Sequence, residues 1–201
     1  MDRISRGFRG RPRVDAPTGR VPPGQYATGD FPVLSAGPTP RVETADWRLS
    51  ITGEIDQPLS WTWEQFRALD DEQVAVDIHC VTKWSKLDTT WVGVSLDTLL
   101  AGVETAAEFL LVHSYGGYTT NLPLADVIDG KAWVVHTYDG EPLDPEHGGP
   151  ARLLVPHLYF WKSAKWVTGI ELRNDEEPGF WEGYGYHIYG DPWREQRYAG
   201  D

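Results

Sequence analysis

The stretch that decides the fold is Val76–Leu96, VDIHCVTKWSKLDTTWVGVSL, which contains Cys80, the only cysteine in 201 residues. Apolar residues run almost without interruption through Val74–Cys80, and this pattern predicts a strand that is buried on both faces. Cys80 then stands where a core strand gives way to a loop. The chain has ten tryptophans and one thiol, so the placement of that thiol beside His79, Lys83 and Trp84 calls for an explanation.

The composition indicates a folded, sheet-rich domain. Hydrophobic residues make up 40% of the chain and aromatic residues 12%, which is ample for a packed core. Fifteen prolines and 21 glycines, with few long helix-forming runs, favour strands and loops over helices. The formal net charge of -12 argues against a nucleic-acid partner, because the phosphate backbone repels an acidic surface.

The sequence shows neither a signal peptide nor an apolar run that could cross a membrane, and we therefore expect a cytoplasmic protein without a membrane span. MDRISRGFRGRPRV has the positive charge of a signal-peptide n-region, but no apolar segment of adequate length follows it. No apolar run approaches the roughly 20 residues that cross a bilayer. A single cysteine excludes an internal disulfide, which suits a reducing compartment.

Proline, glycine and arginine dominate residues 1–45, which show neither helical nor strand periodicity. We expect an extended N-terminal arm over residues 1–30 and one domain over residues 31–201. The acidic and aromatic tail Asn174–Asp201 is expected to wrap that domain.

Periodicity and capping signals predict many strands and a few short helices. Strands are predicted at Trp47–Gly53, Val74–Cys80, Phe109–Ser114, Tyr118–Leu122, Ala132–Tyr138, Ala151–Val155 and Val167–Leu172. Thr62 followed by Gln65 predicts a capping box at a helix start. Further short helices are predicted at Ser95–Ala101, which Gly102 stops, and at Pro123–Ile128.

Four roles for Cys80 are compatible with the residues alone. It can be a small core hydrophobe. It can be the nucleophile of a hydrolase, with a base supplied by His79, His113, His136, His147, His157 or His187. A zinc site of His79, Cys80 and distant histidines is a third possibility, although neighbouring strand residues point to opposite faces. The fourth is a thiolate ligand to a redox-active metal that an organic cofactor carries in with its other ligands.

A cofactor of that kind usually has a phosphate tail, and the chain contains a candidate phosphate site. In EHGGPARLLVPHLYFWKSAKWV, Arg152 follows a Gly-Gly-Pro turn, and Lys162, Ser163 and Lys165 come about ten residues later. Guanidinium, hydroxyl and ammonium donors beside a turn are the groups that hold phosphates. The alternative is that the lysines are ordinary surface residues around an apolar strand.

Four segments in this order and spacing resemble the molybdopterin-binding domain of the sulfite oxidase superfamily. They are FPVLSAG at Phe31–Gly37, CVTKW at Cys80–Trp84 with WVGVSL at Trp91–Leu96, HGGPARLLVP at His147–Pro156, and KSAKWV at Lys162–Val167. The chain is most similar to the compact bacterial branch that includes methionine-sulfoxide reductase catalytic subunits. The resemblance implies an α+β, mixed and strand-rich fold with a few short helices and long wrapping termini.

The same resemblance implies a molybdenum-dependent oxidoreductase with molybdopterin as its cofactor. Such an enzyme transfers an oxygen atom to or from a small substrate, a sulfoxide or a related compound, and exchanges electrons with a donor or acceptor. Cys80 would be the molybdenum ligand and Ser114 a hydroxyl that faces the cofactor. The other implied cofactor contacts are main-chain atoms of Pro32 and Val33, a polar pterin contact from His147, and a phosphate and pterin-edge site made by Arg152, Ser163, Ala164 and Lys165.

The substrate pocket departs from that of sulfite oxidases. Those enzymes carry arginine, asparagine, histidine and two further arginines where this chain has Leu34, Ser35, Ala36, Trp84 and Ser85. The missing arginines help to bind a doubly charged oxyanion, which argues against sulfite as the substrate, although Lys83 and Lys86 can supply positive charge. Thr82 stands where the reductase branch often has an acidic residue.

A competing hypothesis from another class is a non-catalytic carbohydrate-binding module. It requires exposed stacking platforms, for which the candidates are Trp47, Trp61, Trp63 and Trp181. The C-terminal aromatic residues are interpreted as packing against the domain, with the rim of the active site or an electron-transfer contact as alternatives. They are Tyr184, Tyr186, His187, Tyr189 and Trp193.

Overall fold

The computed structural model describes residues 13–201, which form eleven strands in two sheets and three short α-helices. In chain order the strands are β1 (Tyr26–Ala27), β2 (Arg48–Gly53), β3 (Leu59–Thr62), β4 (Glu72–His79), β5 (Trp84–Ser95), β6 (Phe109–Ser114), β7 (Thr119–Pro123), β8 (Trp133–Tyr138), β9 (Glu141–Pro142), β10 (Arg152–Leu154) and β11 (Val167–Arg173). The helices are α1 (Trp63–Arg67), α2 (Leu96–Leu99) and α3 (Phe180–Gly183), and single 3-10 turns lie at Leu124–Asp126, Pro145–His147 and Phe160–Lys162.

The two sheets share one core. Sheet A has the order β1-β5-β8-β10, with β4 also paired to β5 and β9 to β8, and sheet B has the order β3-β2-β11-β6-β7. Val134 packs in the main core with Ile51 and Ile170 of sheet B. Its neighbour Val135 joins a second cluster that contains Cys80. Successive side chains of a strand face opposite sides of a sheet, so sheet A separates the main core from the cluster around Cys80.

Most of the predicted elements are confirmed, as is the mixed, strand-rich fold class. Phe109–Ser114 is a strand with the predicted bounds, and the other predicted strands are shifted by one or two residues at their ends. The capping box is present, because the Thr62 hydroxyl accepts from Gln65 N at 3.2 Å while Thr62 N donates to Gln65 Oε1 at 2.8 Å. At α2 the Ser95 hydroxyl accepts from Thr98 N, and Gly102 follows with a φ of 76°.

The prediction that the strand before Cys80 is buried on both faces is wrong. β4 pairs with β5, and most of its residues are exposed or half-buried, with Ile78 and His79 buried at its end. β5 itself, which has twelve residues, was not predicted. Lys86 and Asp88 interrupt its apolar pattern, so the local sequence does not indicate a strand. Pairing with β4 in the hairpin stabilises β5 despite these residues.

The N-terminal segment contacts the hairpin that carries Cys80. β1 runs parallel to β5 and pairs Tyr26 with Trp84, and the Arg20 guanidinium contacts the carboxylates of Asp77 and Asp88. Residues 1–12 of the predicted arm lie outside the described residues. The boundary between arm and domain at residue 30 therefore stays a prediction.

The tail wraps the domain as predicted and is anchored by buried polar contacts. Gly190 O accepts from Tyr159 N at 2.8 Å, and Ile188 O accepts from Lys162 Nζ at 2.7 Å. Lys162 also forms an ion pair with Glu182 of α3 at 2.6 Å, and each of the two side chains is 1% exposed. Within residues 13–201, no helix combines the length and apolar character that a bilayer crossing requires.

Candidate active site

Cys80 lies in the tight turn of the β4–β5 hairpin. Cys80 N donates to Trp84 O at 2.9 Å, and Lys83 N donates to Cys80 O at 3.0 Å. Lys83 has a φ of 74°, so the loop combines a turn with a left-handed residue, a common hairpin connection. Cys80 is 7% exposed. The Thr82 hydroxyl donates to Cys80 Sγ at 3.2 Å.

A chain of side-chain hydrogen bonds holds the main chain of Cys80. Gln25 Nε2 donates to Cys80 O at 3.1 Å, and Gln25 Oε1 accepts from the Ser85 hydroxyl at 3.0 Å. Since the Ser85 hydrogen is used in that bond, His79 Nδ1 is the donor in its 2.9 Å contact with Ser85 Oγ. Burial lowers the pKa of His79 to about 4. His79 is therefore a neutral ring with a defined tautomer, which suits a support for the cysteine loop better than a catalytic base.

A cavity of about 540 Å³ has Cys80 in its wall. The cations Arg152 and Lys165 line the same cavity, as do His147 and Ser163. Cavities of this size hold small molecules and organic cofactors. Cys80 and the residues Arg152, Ser163 and Lys165 of the candidate phosphate site therefore line one space.

The Gly-Gly-Pro turn places Arg152 at the start of β10. Gly148 has a φ of 110°, and a Cβ there would lie 3.0 Å from the Arg152 and Lys165 side chains, so the turn needs glycine. Arg152 is 1% exposed, and it donates to His147 O, Leu153 O and Ser163 O. Its guanidinium also lies 4.1 Å from the centroid of the Phe160 ring. Burial lowers the pKa of Arg152 to about 9, so it remains charged at neutral pH.

Lys165 connects two cavity-lining segments. Its ammonium donates to Leu34 O at 2.7 Å and to Glu146 O at 2.6 Å. Burial and the Arg152 charge lower the pKa of Lys165 to about 7. Beside it, His147 Nε2 donates to Phe31 O at 3.1 Å and its ring stacks on the Phe31 ring. Burial also lowers the pKa of His147.

The charge balance of this site fits an anionic cofactor. None of the ion pairs within residues 13–201 includes Arg152 or Lys165. Arg152 is buried and Lys165 is half-buried, and two such cations without an ion-pair partner are unfavourable unless an anion compensates them. The Ser163 hydroxyl accepts from Val155 N, which leaves its hydrogen for a further acceptor. Ser114 Oγ is buried and has no hydrogen-bond partner in the described part of the chain.

The structure brings together most of the predicted site residues. Those that line the cavity are Pro32, Cys80, His147, Arg152, Ser163, Ala164 and Lys165. Val33 and Ser114 are outside the lining, although their neighbours Pro32, Leu34 and Tyr115 belong to it. Lys162 is neither a surface residue nor part of the phosphate site, because it is buried in the ion pair with Glu182.

Sequence reasoning missed the aromatic walls of the cavity. Trp161 and Trp166 line it, and the tail contributes Phe180, Trp181 and Tyr186. The ring of Tyr186 packs 5.2 Å from that of Trp161. The glycine- and aromatic-rich run at Gly179–Gly190 was the available signal, but it was interpreted mainly as packing. Tyr186 lines the cavity, so its place at the active-site rim stays a prediction that depends on the proposed site.

Two of the competing roles conflict with the structure. No group of three or more metal-binding side chains of the zinc type occurs in residues 13–201, which removes the zinc site of His79 and Cys80. Trp47 is fully buried, while Trp61 and Trp63 pack against the main core. Trp181 faces the cavity. The tryptophans proposed as carbohydrate platforms are therefore core or cavity residues.

Comparison with known proteins identifies the class. A family model for the oxidoreductase molybdopterin-binding domain matches residues 36–181, and the chain belongs to this family. It is an oxidoreductase, and its cofactor is molybdenum-bearing molybdopterin. The family resemblance deduced from the four segments is confirmed.

Individual relatives agree with this class. The chain is 45% identical over 195 residues to YuiH, an uncharacterised oxidoreductase of Bacillus subtilis, covering 96% of this chain and 98% of YuiH. It is 28% identical over 171 residues to MsrP, the catalytic subunit of a protein-methionine-sulfoxide reductase of Campylobacter jejuni, covering 73% of this chain and 56% of MsrP. The sulfane dehydrogenase SoxCD from Paracoccus pantotrophus shares the fold, with a TM-score of 0.61, 24% identity, and coverage of 68% of this chain and 40% of that one.

Proposed function

We propose that the protein transfers an oxygen atom to or from a small uncharged substrate such as a sulfoxide, with Cys80 as the thiolate ligand of molybdenum. The observation that carries this proposal is the single cavity lined by Cys80, Arg152 and Lys165. Thiolates are ligands for soft, redox-active metals, and buried guanidinium and ammonium groups bind phosphates. The cavity therefore offers a thiolate for the metal and two cations for the phosphate of the cofactor.

The residues divide into a metal end and an anchoring end. Bound molybdopterin supplies a metal centre that exchanges one oxygen atom and two electrons with the substrate. At the metal end, the hairpin and Gln25 hold the Cys80 main chain, which limits the directions in which its sulfur can point. The proposed anchoring contacts are Pro32, Val33, Ser114, His147, Arg152, Ser163, Ala164 and Lys165. They would orient the pterin and bind its phosphate.

The cavity walls favour a substrate without net charge at the reacting group. Trp161, Trp181 and Tyr186 supply apolar surface, and Arg152 and Lys165 are the only Lys or Arg side chains in the described lining. Lys83 and Lys86 are outside that lining, and Lys86 donates to Gly29 O at 2.6 Å. With Arg152 and Lys165 occupied by the cofactor phosphate, a doubly charged oxyanion would lose its hydration against aromatic rings without gaining an ion pair. A sulfoxide oxygen is polar but carries no net charge, and it avoids this penalty.

For sulfoxide reduction, the overall reaction consumes two electrons and two protons and releases a thioether and water. The electrons must come from an external donor, and the reverse reaction needs an acceptor. The similarity to MsrP, which is named for sulfoxide reduction, supports the reductive direction. We propose that the reaction takes place in the cytoplasm, because a chain whose single cysteine is the proposed metal ligand suits a reducing compartment.

The test uses protein expressed in a host that makes molybdopterin. We expect molybdenum and released pterin in the purified protein, and reduction of dimethyl sulfoxide by a reduced viologen dye that far exceeds any oxidation of sulfite. Cys80→Ser should retain pterin but lose most of the activity and change the molybdenum EPR spectrum. An unchanged spectrum in Cys80→Ser would refute the ligand assignment.

The anchoring end is tested separately. Arg152→Gln should lower the cofactor content, because it removes a buried charge that faces the proposed phosphate position. Arg41→Gln is the matched control, since the Arg41 side chain is 91% exposed. Equal cofactor content in both variants would contradict the proposed phosphate site.

A further inference from the structure

We infer that Thr82 is a positioning residue for Cys80, and that its hydroxyl sets the reduction potential of the metal by a hydrogen bond to the cysteine sulfur. The inference rests on the proposed role of Cys80 as molybdenum ligand. Both residues line the cavity, and Thr82 Oγ1 lies 3.2 Å from Cys80 Sγ. This separation is a hydrogen-bond distance for a sulfur acceptor.

The hairpin turn fixes the relative placement of the two side chains. Cys80 and Thr82 are two residues apart in a loop closed by the bonds Cys80 N to Trp84 O and Lys83 N to Cys80 O. Gln25 holds the Cys80 carbonyl from the N-terminal segment. Threonine is β-branched, which restricts its χ1 rotamers. The hydroxyl is therefore held near the sulfur by the backbone as well as by the bond itself.

A hydrogen bond to a metal-bound thiolate changes the electron density at the metal. The donor draws charge from the sulfur, so the thiolate transfers less charge to the metal, and the electron-rich, reduced state becomes easier to reach. A bond to an ionised acceptor is also stronger than one to a neutral acceptor. The hydroxyl of Thr82 should therefore raise the midpoint potential of the bound metal.

Three variants at position 82 separate the hydroxyl from the shape of the side chain. Thr82→Val keeps the branched shape and removes the donor, Thr82→Ala removes both, and Thr82→Ser keeps the donor. The measurement is the midpoint potential of molybdenum in the holoenzyme, followed by EPR during a redox titration, with the metal content determined by elemental analysis. A support role that acts only through packing would change metal content or stability and leave the potential of the loaded fraction unchanged.

We expect Thr82→Val to lower the equilibrium constant for one-electron reduction about tenfold, which corresponds to a shift of about 59 mV. Thr82→Ala should show a similar shift, and Thr82→Ser should stay close to the parent protein. If the Val and Ala variants do not retain molybdenum while the Ser variant does, the hydroxyl is needed to hold the sulfur, which supports the positioning role of Thr82.

An unchanged potential in Thr82→Val would overturn the inference, as would equal shifts in the Val and Ser variants or loss of metal from all three. These outcomes differ from a failure of the proposed function. If Cys80 is not the ligand, Cys80→Ser leaves the molybdenum EPR spectrum unchanged whatever the variants at position 82 do.

Discussion

The buried ion pair between Lys162 and Glu182 provides a sharp test of how the tail is anchored. The Glu182 carboxylate accepts from Lys162 Nζ at 2.6 Å and from Trp161 Nε1 at 2.8 Å. The Lys162 ammonium also donates to two oxygens of Asn121 and to Ile188 O. Burial lowers the pKa of Lys162, and Glu182 opposes that effect. Glu182→Gln keeps the shape and the acceptor but removes the charge that balances the ammonium.

The expected cost follows from the burial of both groups. Removing one partner of a buried pair leaves an uncompensated charge and typically costs about 3 to 5 kcal/mol. We expect Glu182→Gln to lower the free energy of unfolding by about this amount, and Lys162→Met to do the same. The double variant Lys162→Met/Glu182→Gln leaves no buried charge. It should therefore cost less than the sum of the single changes, with a coupling energy of about 2 to 3 kcal/mol.

The assay is urea unfolding of the cofactor-free protein, which gives the free energy of unfolding and its dependence on urea. Asp175→Asn is the control, because it removes a carboxylate from a pair with Arg173 at the protein surface, where ion pairs contribute little. A loss below about 1 kcal/mol in Glu182→Gln, or strictly additive single changes, would refute the assignment of a charged buried pair.

Three further predictions concern the hairpin, the cavity wall and the anchoring end. Lys83→Gly should stabilise the protein by about 1 kcal/mol in thermal unfolding, because the positive φ of 74° strains lysine but not glycine; a loss of stability would contradict this. In Gly190→Ala the new Cβ would lie 2.8 Å from the Trp161 ring, at a position where φ is 83°. We therefore expect a change in tryptophan fluorescence and a lower cofactor content. A Cβ at Gly183 would face open space, so the control Gly183→Ala should behave as the parent protein. The affinity of the cofactor-free protein for sulfate should fall as the pH rises through about 7. Burial lowers the pKa of Lys165 to about this value, so its ammonium becomes neutral at higher pH. Lys165→Met should remove the pH dependence, and a pH-independent affinity in the parent protein would contradict the prediction.

The strands that were predictable are those whose signal is local. Phe109–Ser114 is a compact apolar run, and it forms β6 with those bounds. β5 could not be recognised in the same way, because Lys86, Asp88 and two threonines lie in its first seven residues. Its pairing with β4 on one side and with β1 and β8 on the other stabilises it. Such non-local pairing is not visible in the pattern of one segment.

The position of Cys80 after a strand was predictable, but the character of that strand was not. An apolar run suggested a central strand, whereas β4 pairs with β5 and leaves Ala75 exposed. The contacts that hold the cysteine loop come from Gln25 and Ser85. Gln25 is 55 residues away in the chain, and a glutamine in a proline-rich segment carries no local sign of this role. The placement of Tyr186 in the cavity wall is likewise a result of how the tail folds back.

The cations of the interior and of the cavity wall fall into two groups. Some are neutralised by a carboxylate and have a structural role, and others contact only main-chain carbonyls and can bind an anionic ligand. Lys162 and Lys165 are three residues apart and are equivalent in any sequence pattern, but Lys162 is buried in the fold and Lys165 is half-buried in the cavity wall. Lys162 is neutralised by Glu182 and surrounded by oxygens of Asn121 and Ile188, whereas Lys165 and Arg152 receive only main-chain carbonyls. Burying a charge without a counter-charge is expensive, so a fold that places the buried Arg152 and the half-buried Lys165 in one cavity wall is most stable when an anion binds there. The phosphate of molybdopterin is the anion that the family supplies, and its binding would compensate the charges that the protein itself leaves uncompensated.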